Sequence, residues 1–151
     1  MRKRTTAFVL ISALLSAIPA FAGSSSALMS VSVEVIARTL LNVDTQPESV
    51  DITRVDLARG YLDIPQAVTF RVRSNAARGY ELQFEPVAFP FTTAAVTVGA
   101  GVATIRSDGA WLTEPYQHGT TGGTMSVRLW LAPGTQPGSY AWPVVFTANS
   151  R

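Results

Sequence analysis

Few side chains in this sequence are of types that catalyse reactions, and their surroundings do not fit a catalytic motif. The single histidine, His118, lies in a stretch rich in glycine and threonine, where Ser126 or Asp108 would have to complete a catalytic triad. No serine stands in a nucleophile-elbow motif. The stretch Gly119–Gly123 lacks the Lys-Ser/Thr ending of a phosphate-binding loop. The sequence therefore predicts a solvated loop around His118.

Carboxylates and thiols offer no clearer chemistry. Glu81 and Glu85 fall on the outward face of one predicted strand, which is a poor place for a pair of glycosidase carboxylates. The acidic residues of the region 44–51 lack the regular spacing of a calcium-binding loop. Cysteine is absent, which excludes disulfides and cysteine-ligated zinc. We therefore expect no enzymatic activity, no cofactor and no metal site.

Aromatic residues offer a better candidate for ligand binding. Trp130 falls on the side of its predicted strand opposite the apolar residues, and an exposed tryptophan usually marks a contact. Trp111 and Tyr116 complete the candidate ligand face. This face supports one alternative function, in which a secreted monomeric β-sandwich binds carbohydrate or another ligand.

The first 22 residues predict a signal peptide. A basic start, Arg2 to Arg4, is followed by an apolar run, and Ala20-Phe21-Ala22 places small residues where a signal peptidase cleaves. The apolar run is shorter than the roughly 20 residues expected of a spanning helix. We therefore expect residues 1–22 to be removed and the remaining chain to be exported without a membrane span.

Removal of this leader changes the charge of the chain. Three of the twelve basic residues lie in the leader, which leaves nine arginines and no lysine against ten acidic residues. The arginines are scattered from Arg38 to Arg151, whereas a surface that binds nucleic acid concentrates its positive charge. Nucleic acid is therefore not an expected partner.

The exported part is predicted to be all-β. Apolar residues alternate with polar ones at a period of two, without helical periodicity, in the stretches Met29–Ala37, Val68–Val72, Tyr80–Phe84, Met125–Leu131 and Tyr140–Ala148. Turn-forming residues separate these stretches. This pattern predicts one immunoglobulin-like β-sandwich over residues 39–151.

Local patterns predict how the strands connect. Val68–Arg73 and Tyr80–Glu85 are expected to pair as a hairpin, and Val50–Leu57 is expected to be a strand with a bulge. Tight turns are expected at Gly99–Gly101 and at Asp108-Gly109. The glycine-rich stretch Thr113–Thr124 is expected to be a long flexible loop.

The exported chain begins with a short serine-rich lead before the alternating segment, and Pro137-Gly138-Ser139-Tyr140 precedes its last predicted strand. These two ends resemble those of chaperone–usher pilins, the subunits of bacterial fimbriae, in which a Pro/Ala-Gly-x-Tyr turn commonly precedes the last strand. The resemblance implies an incomplete immunoglobulin-like domain that lacks one strand. A periplasmic chaperone first fills the resulting groove, and the N-terminal extension of the next subunit then replaces the chaperone. The absence of cysteine departs from many members of the family.

The resemblance also implies which residues make these contacts. Residues 23–38 would be the donor segment, and the side chains that enter the groove would be Met29, Val31, Val33, Val35 and Ala37. The last strand would form one wall of the groove with Tyr140, Trp142, Val144 and Phe146. The implied partners are a periplasmic chaperone, an outer-membrane usher and neighbouring subunits, and the implied location is the periplasm and then the cell surface. Alternation leaves open whether residues 29–37 are donated or form the first strand of their own domain, since both need the same pattern.

Overall fold

The computed structural model describes residues 32–151, which fold mainly as β-strands. Contacts divide the chain into two units, Met1–Glu34 and Val35–Arg151, and the second unit contains every element named below. In chain order these are β1 (Thr39–Thr45), β2 (Ser49–Ile52), α1 (Arg54–Arg59), β3 (Tyr61–Ser74), β4 (Tyr80–Phe84), β5 (Phe91–Val98), β6 (Gly101–Ile105), β7 (Ala110–Glu114), β8 (Thr120–Leu131), β9 (Gly138–Ala141) and β10 (Phe146–Ser150). No helix within the described residues is long and apolar enough to cross a membrane.

Two antiparallel sheets contain most of these strands and enclose one core. The larger sheet has the strand order β1-β3-β8-β5-β6, and the smaller sheet has the order β10-β4-β7. Side chains alternate in burial along the strands, so that Val68 and Leu129 of the larger sheet meet Leu82 of the smaller sheet in a single hydrophobic cluster. The structure confirms the predicted all-β sandwich.

The predicted last strand, Tyr140–Ala148, is interrupted, so the prediction of one continuous strand is wrong. Pro143 has no N–H to donate to a β-ladder, and residues 142–145 belong to neither flanking strand. β9 pairs with β2 in a separate two-stranded sheet, whereas β10 pairs with β4. The end of the chain therefore passes from one sheet to another.

The predicted hairpin between Val68–Arg73 and Tyr80–Glu85 is also wrong, because β3 and β4 belong to different sheets. Arg71 faces β1 instead of β4, and its Nη2 lies 2.6 Å from Asp44 Oδ1. Two alternating strands have the same sequence pattern whether they lie side by side or face each other across a core. Alternation alone therefore could not assign the partner of either strand.

The glycine-rich stretch Thr113–Thr124 is mostly strand rather than loop, and only residues 115–119 lie between β7 and β8. Gly123 is paired with Phe70 of β3, whose ring occupies the space that a side chain at position 123 would need. A Cβ added at Gly123 would lie 2.9 Å from Phe70 Cε1, which is closer than two carbon atoms can approach. The tight turns predicted between β5 and β6 and between β6 and β7 are confirmed.

A short helix replaces the second half of the strand predicted over Val50–Leu57. β2 ends at Ile52, and α1 follows because Thr53 and Asp56 form a capping box. Thr53 Oγ1 accepts a hydrogen bond from Asp56 N at 3.3 Å, and Thr53 N donates to Asp56 Oδ2 at 3.0 Å. Gly60 ends the helix with a left-handed backbone, at φ 77°.

Asp56 gives this helix a dependence on pH. Its carboxylate is buried, and hydrogen bonds from Thr53 and then from Arg59 lower the pKa of Asp56 below its ordinary value. A carboxyl group with a lowered pKa stabilises the fold above its unfolded pKa of about 3.9, and that contribution is lost as the pH falls through the folded pKa.

We expect Asp56→Ala to lower the free energy of unfolding at pH 7 by about 1–2 kcal/mol, since the capping box is lost. The deficit should shrink as the pH falls below about 3.9, because the unfolded chain then binds a proton at Asp56 more readily than the folded chain does. Urea denaturation at pH 7 and pH 3 measures both effects. Asp51→Ala, at an exposed position of β2, is the control and should change little. The same deficit for Asp56→Ala at both pH values would contradict a stabilising role of the Asp56 charge.

Candidate functional site

One side of the sandwich is bordered by two strand edges without a β-partner among residues 32–151. β1 is the outermost strand of the larger sheet, and β10 is the outermost strand of the smaller sheet. The two strands approach each other, but no backbone ladder joins them. We call the space between these edges the β1–β10 gap.

The β1–β10 gap is bounded at both ends. At one end, the hydroxyls of Thr39 and Ser150 are hydrogen-bonded at 3.0 Å, so β1 begins where β10 finishes. At the other end, β2 pairs with β9, and Trp142 N extends this pairing by donating to Glu48 O at 3.0 Å. The unpaired edges of β1 and β10 therefore lie between the Thr39–Ser150 contact at one end and the β2–β9 pairing at the other.

Core-facing side chains of β1 are incompletely covered at the gap. Leu41 is paired with Val72 and Val43 with Phe70, so each pair lies on the same face of the sheet. Val72 and Phe70 are 1% and 2% exposed, whereas Val43 is 39% exposed and Leu41 is only partly buried. The apolar face thus extends to the edge of the sheet and is uncovered there.

Three phenylalanine rings form the interior beside β10. Phe146, the first residue of β10, meets Phe70 edge-to-face with 5.5 Å between ring centroids. It also stacks on Phe84, with 5.8 Å between centroids. Since Phe70 belongs to the larger sheet and Phe84 to the smaller one, the Phe146 ring joins the two sheets at this edge.

The opposite side of the sandwich is closed by the chain itself. β6 and β7, the other two outermost strands, are joined by a turn in which Arg106 and Gly109 exchange backbone hydrogen bonds of 3.0 and 3.3 Å. Leu112 of β7 lies against Gly101 of β6, where an added Cβ would be 2.9 Å from Leu112 Cδ1. The β6–β7 side of the sandwich is therefore closed by a turn and by side-chain packing.

Residues 35–38, which precede β1, belong to no strand. Asn75 holds their backbone, because its Nδ2 donates to Ile36 O at 3.0 Å and its backbone N donates to Arg38 O at 3.1 Å. The side chains of Val35 and Ile36 are nevertheless 74% and 79% exposed. This segment is anchored through its backbone and leaves its apolar side chains uncovered.

Three of the five predicted donor residues can be placed. Val33, Val35 and Ala37 are exposed, and none of them belongs to a strand. Met29 and Val31 lie outside the described residues. The first strand of the domain is β1, which begins after the predicted donor segment.

The four predicted groove residues lie on both sides of the interruption in the last strand. Val144 and Phe146 are buried, and of the four only Phe146 lies in β10. Tyr140 lies in β9 and donates its hydroxyl to Gln136 O at 2.9 Å. Trp142 is partly buried, and its Nε1 has no hydrogen-bond partner among the described residues.

The wall formed by β1 was not found by the sequence analysis. The alternation in Thr39-Leu40-Leu41-Asn42-Val43 is the signal that could have identified it. It was obscured because Leu40 is apolar but faces outward, where it is 50% exposed. Two adjacent leucines conceal the phase of a strand.

The structure does not bring the three aromatic residues of the predicted ligand face together. Trp111 is opposite the exposed Gln83, and it lies on the outer face of the smaller sheet. Trp130 is opposite Tyr61, on the outer face of the larger sheet. Tyr116 lies in the loop after β7. The two tryptophans therefore point away from opposite sides of the sandwich.

The residues considered for a catalytic triad are also separated. His118 lies in the loop that follows β7, whereas Asp108 lies in the turn that precedes β7. Ser126, in β8, accepts a hydrogen bond from Gln66 N at 3.0 Å. Within residues 32–151, no three His, Asp or Glu side chains form a group that could hold a metal ion.

Comparisons with known proteins give no match for the chain. No protein-family model, no curated protein and no solved structure matches it. The geometry of residues 32–151 is therefore the basis of the function proposed below.

Proposed function

We propose that this chain is a pilin-like structural subunit, without enzymatic activity, assembled by donor-strand complementation on the bacterial surface. The observation that carries the proposal is the β1–β10 gap, where core-facing side chains lie uncovered between two unpaired strand edges. A sandwich of this kind, lacking one edge strand, is what an incomplete immunoglobulin-like domain requires. Unpaired edges invite the addition of a strand.

An added strand would pair with the free backbone groups of the edge and would also cover the exposed apolar side chains. The backbone of an inserted strand would hydrogen-bond to the free edge of β10, and alternate side chains would cover Leu41 and Val43. Main-chain bonds supply affinity in this mode, and the alternate side chains fix the register.

The segment before β1 is suited to be the inserted strand. Val35 is exposed and lies outside any strand, which supports donation to a neighbour over pairing within its own domain. The alternation from Met29 to Ala37 would present one apolar face to the β1–β10 gap of the next subunit. Residues 1–22 would direct export, and a periplasmic chaperone and an outer-membrane usher would guide assembly.

Two matched substitutions test this proposal. Val35 and Ile36 are adjacent, similarly exposed and opposite in phase, so Val35→Asp and Ile36→Asp add the same charge to different faces of the segment. We expect Val35→Asp to reduce assembly about tenfold or more, because a buried, unpaired carboxylate costs more than about 1.4 kcal/mol. Ile36→Asp should assemble normally.

The measurement is the fraction of linear polymers formed by the chain without residues 1–22, by size-exclusion chromatography and electron microscopy. Equal assembly of the two variants would contradict a register-specific insertion. An unchanged chain that remains monomeric at every concentration, with or without a chaperone, would contradict the proposal itself.

A further inference from the structure

A cationic pocket lies at the end of the sandwich where β1 begins and β3 finishes. It has a cavity volume of about 370 Å³, and two arginines, a histidine and a tyrosine contribute to its lining: Arg38, Arg73, His118 and Tyr116. It faces outward from the larger sheet and is separate from the β1–β10 gap. We call it the Arg38–Arg73 pocket.

The β-pairing places the two arginines together. Leu40 is paired with Arg73, and Asn75 N donates to Arg38 O at 3.1 Å, which continues the same antiparallel pairing beyond the strands. Arg38 and Leu40 are two residues apart and so lie on one face. Arg38 and Arg73 are therefore diagonal neighbours on the outer face of the sheet, within reach of each other's long side chains.

The charges of the Arg38–Arg73 pocket are not balanced within the described domain. The three ion pairs among residues 32–151 involve the arginines Arg59, Arg71 and Arg128. Neither Arg38 nor Arg73 pairs with a carboxylate in that part of the chain, and no acidic residue lines the cavity. Two neighbouring like charges repel each other, so a bound anion would relieve this repulsion.

The remaining lining residues suit a sugar ring better than a bare anion. Tyr116 is 45% exposed and Leu40 is 50% exposed, so both present apolar surface to the cavity. The phenol and the imidazole of His118 add polar atoms beside that surface. Guanidinium groups bind carboxylates through paired hydrogen bonds, and an aromatic ring offers a face to the C–H side of a sugar.

We propose that the Arg38–Arg73 pocket binds an acidic monosaccharide unit at the end of a glycan, such as sialic acid or a uronic acid. The two arginines would hold the carboxylate, and Tyr116 would contact the ring. The cavity lies near the lower end of the range of small-molecule sites, about 300–1,000 Å³, which favours one sugar unit over an extended chain. This role goes beyond strand donation and would make the subunit a glycan-binding protein.

Binding of sialyllactose and lactose to the purified chain tests this site, since the two probes differ only by the acidic sugar. Isothermal titration should detect sialyllactose and not lactose. Arg73→Ala should weaken binding about ten- to a hundredfold, as expected when a charge-assisted hydrogen bond is removed. Arg38→Ala should act in the same direction. Arg106→Ala, at an exposed arginine in the turn before β7, should leave the affinity unchanged.

Several results would overturn the proposal. Equal binding of sialyllactose and lactose would overturn it. So would unchanged sialyllactose binding by an Arg73→Ala variant whose melting temperature is also unchanged. Acetate that binds as tightly as sialyllactose would leave a simple anion site and overturn the role of the sugar. Polymer formation measured on the same samples shows separately whether strand donation occurs, so failure of glycan binding and failure of strand donation can be distinguished.

Discussion

Phe146→Ala is expected to lower the free energy of unfolding by about 3–5 kcal/mol, the usual cost of removing a buried phenylalanine ring. Phe146 is 8% exposed and contacts Phe70 of the larger sheet and Phe84 of the smaller one. Its removal would leave a cavity between the sheets at the edge that has no neighbouring strand. Because domains are stable by only about 5–15 kcal/mol, this single change should remove a large share of the free energy of unfolding.

Urea denaturation followed by circular dichroism measures this loss. Trp111→Ala is the matched control, since it removes a larger ring that is 64% exposed on the outer face of β7. We expect that control to change stability by about 0.5 kcal/mol or less. A loss below about 1 kcal/mol for Phe146→Ala would mean that Phe146 does not join the two sheets in solution.

A second copy of residues 27–38, attached after Arg151 through a short flexible linker, is expected to raise the melting temperature by about 5–10 °C. Ser150 lies beside Thr39, so an attached strand can turn back along β10 and enter the β1–β10 gap of its own domain. Covering Leu41 and Val43 should contribute about 2 kcal/mol after the cost of ordering the added strand. The same variant should stop assembling, because its gap is already filled.

Differential scanning calorimetry and size-exclusion chromatography measure the two effects. The control carries aspartate at the positions of Val33 and Val35 in the attached copy alone, which keeps length and linker constant. It should melt like the unchanged chain and should still assemble. Identical melting of the two fused chains would show that the gap does not accept this segment.

The sequence was sufficient for the all-β class but not for the pairing of strands. Alternation in Val68–Val72 and Tyr80–Phe84 reports which side chains are buried, and the structure confirms that both sets face the core. It does not report whether two strands share a sheet, because that depends on contacts far apart in the chain. The capping box of Thr53 and Asp56 was, in contrast, a local signal that was overlooked.

The candidate site was predictable in part. Phe146 follows from the alternation of the last strand, while the interruption at Pro143 follows from the missing N–H of proline. Exposure of Val43 could not be predicted, because it results from the absence of a neighbouring strand and not from the residue itself. The Arg38–Arg73 pocket likewise depends on pairing between β1 and β3, which brings together residues distant in sequence.

Phe146 follows Phe70 and Phe84 in the sequence, and this order matters during synthesis. Ribosomes make a chain from its N-terminus, so Phe70 and Phe84 emerge well before the ring that lies between them. The hydroxyl contact between Thr39 and Ser150 spans 111 residues and cannot form earlier. Apolar surface that stays exposed until a strand distant in sequence has been made is prone to aggregation. We therefore expect the growing chain to need protection from aggregation until β10 has been synthesised.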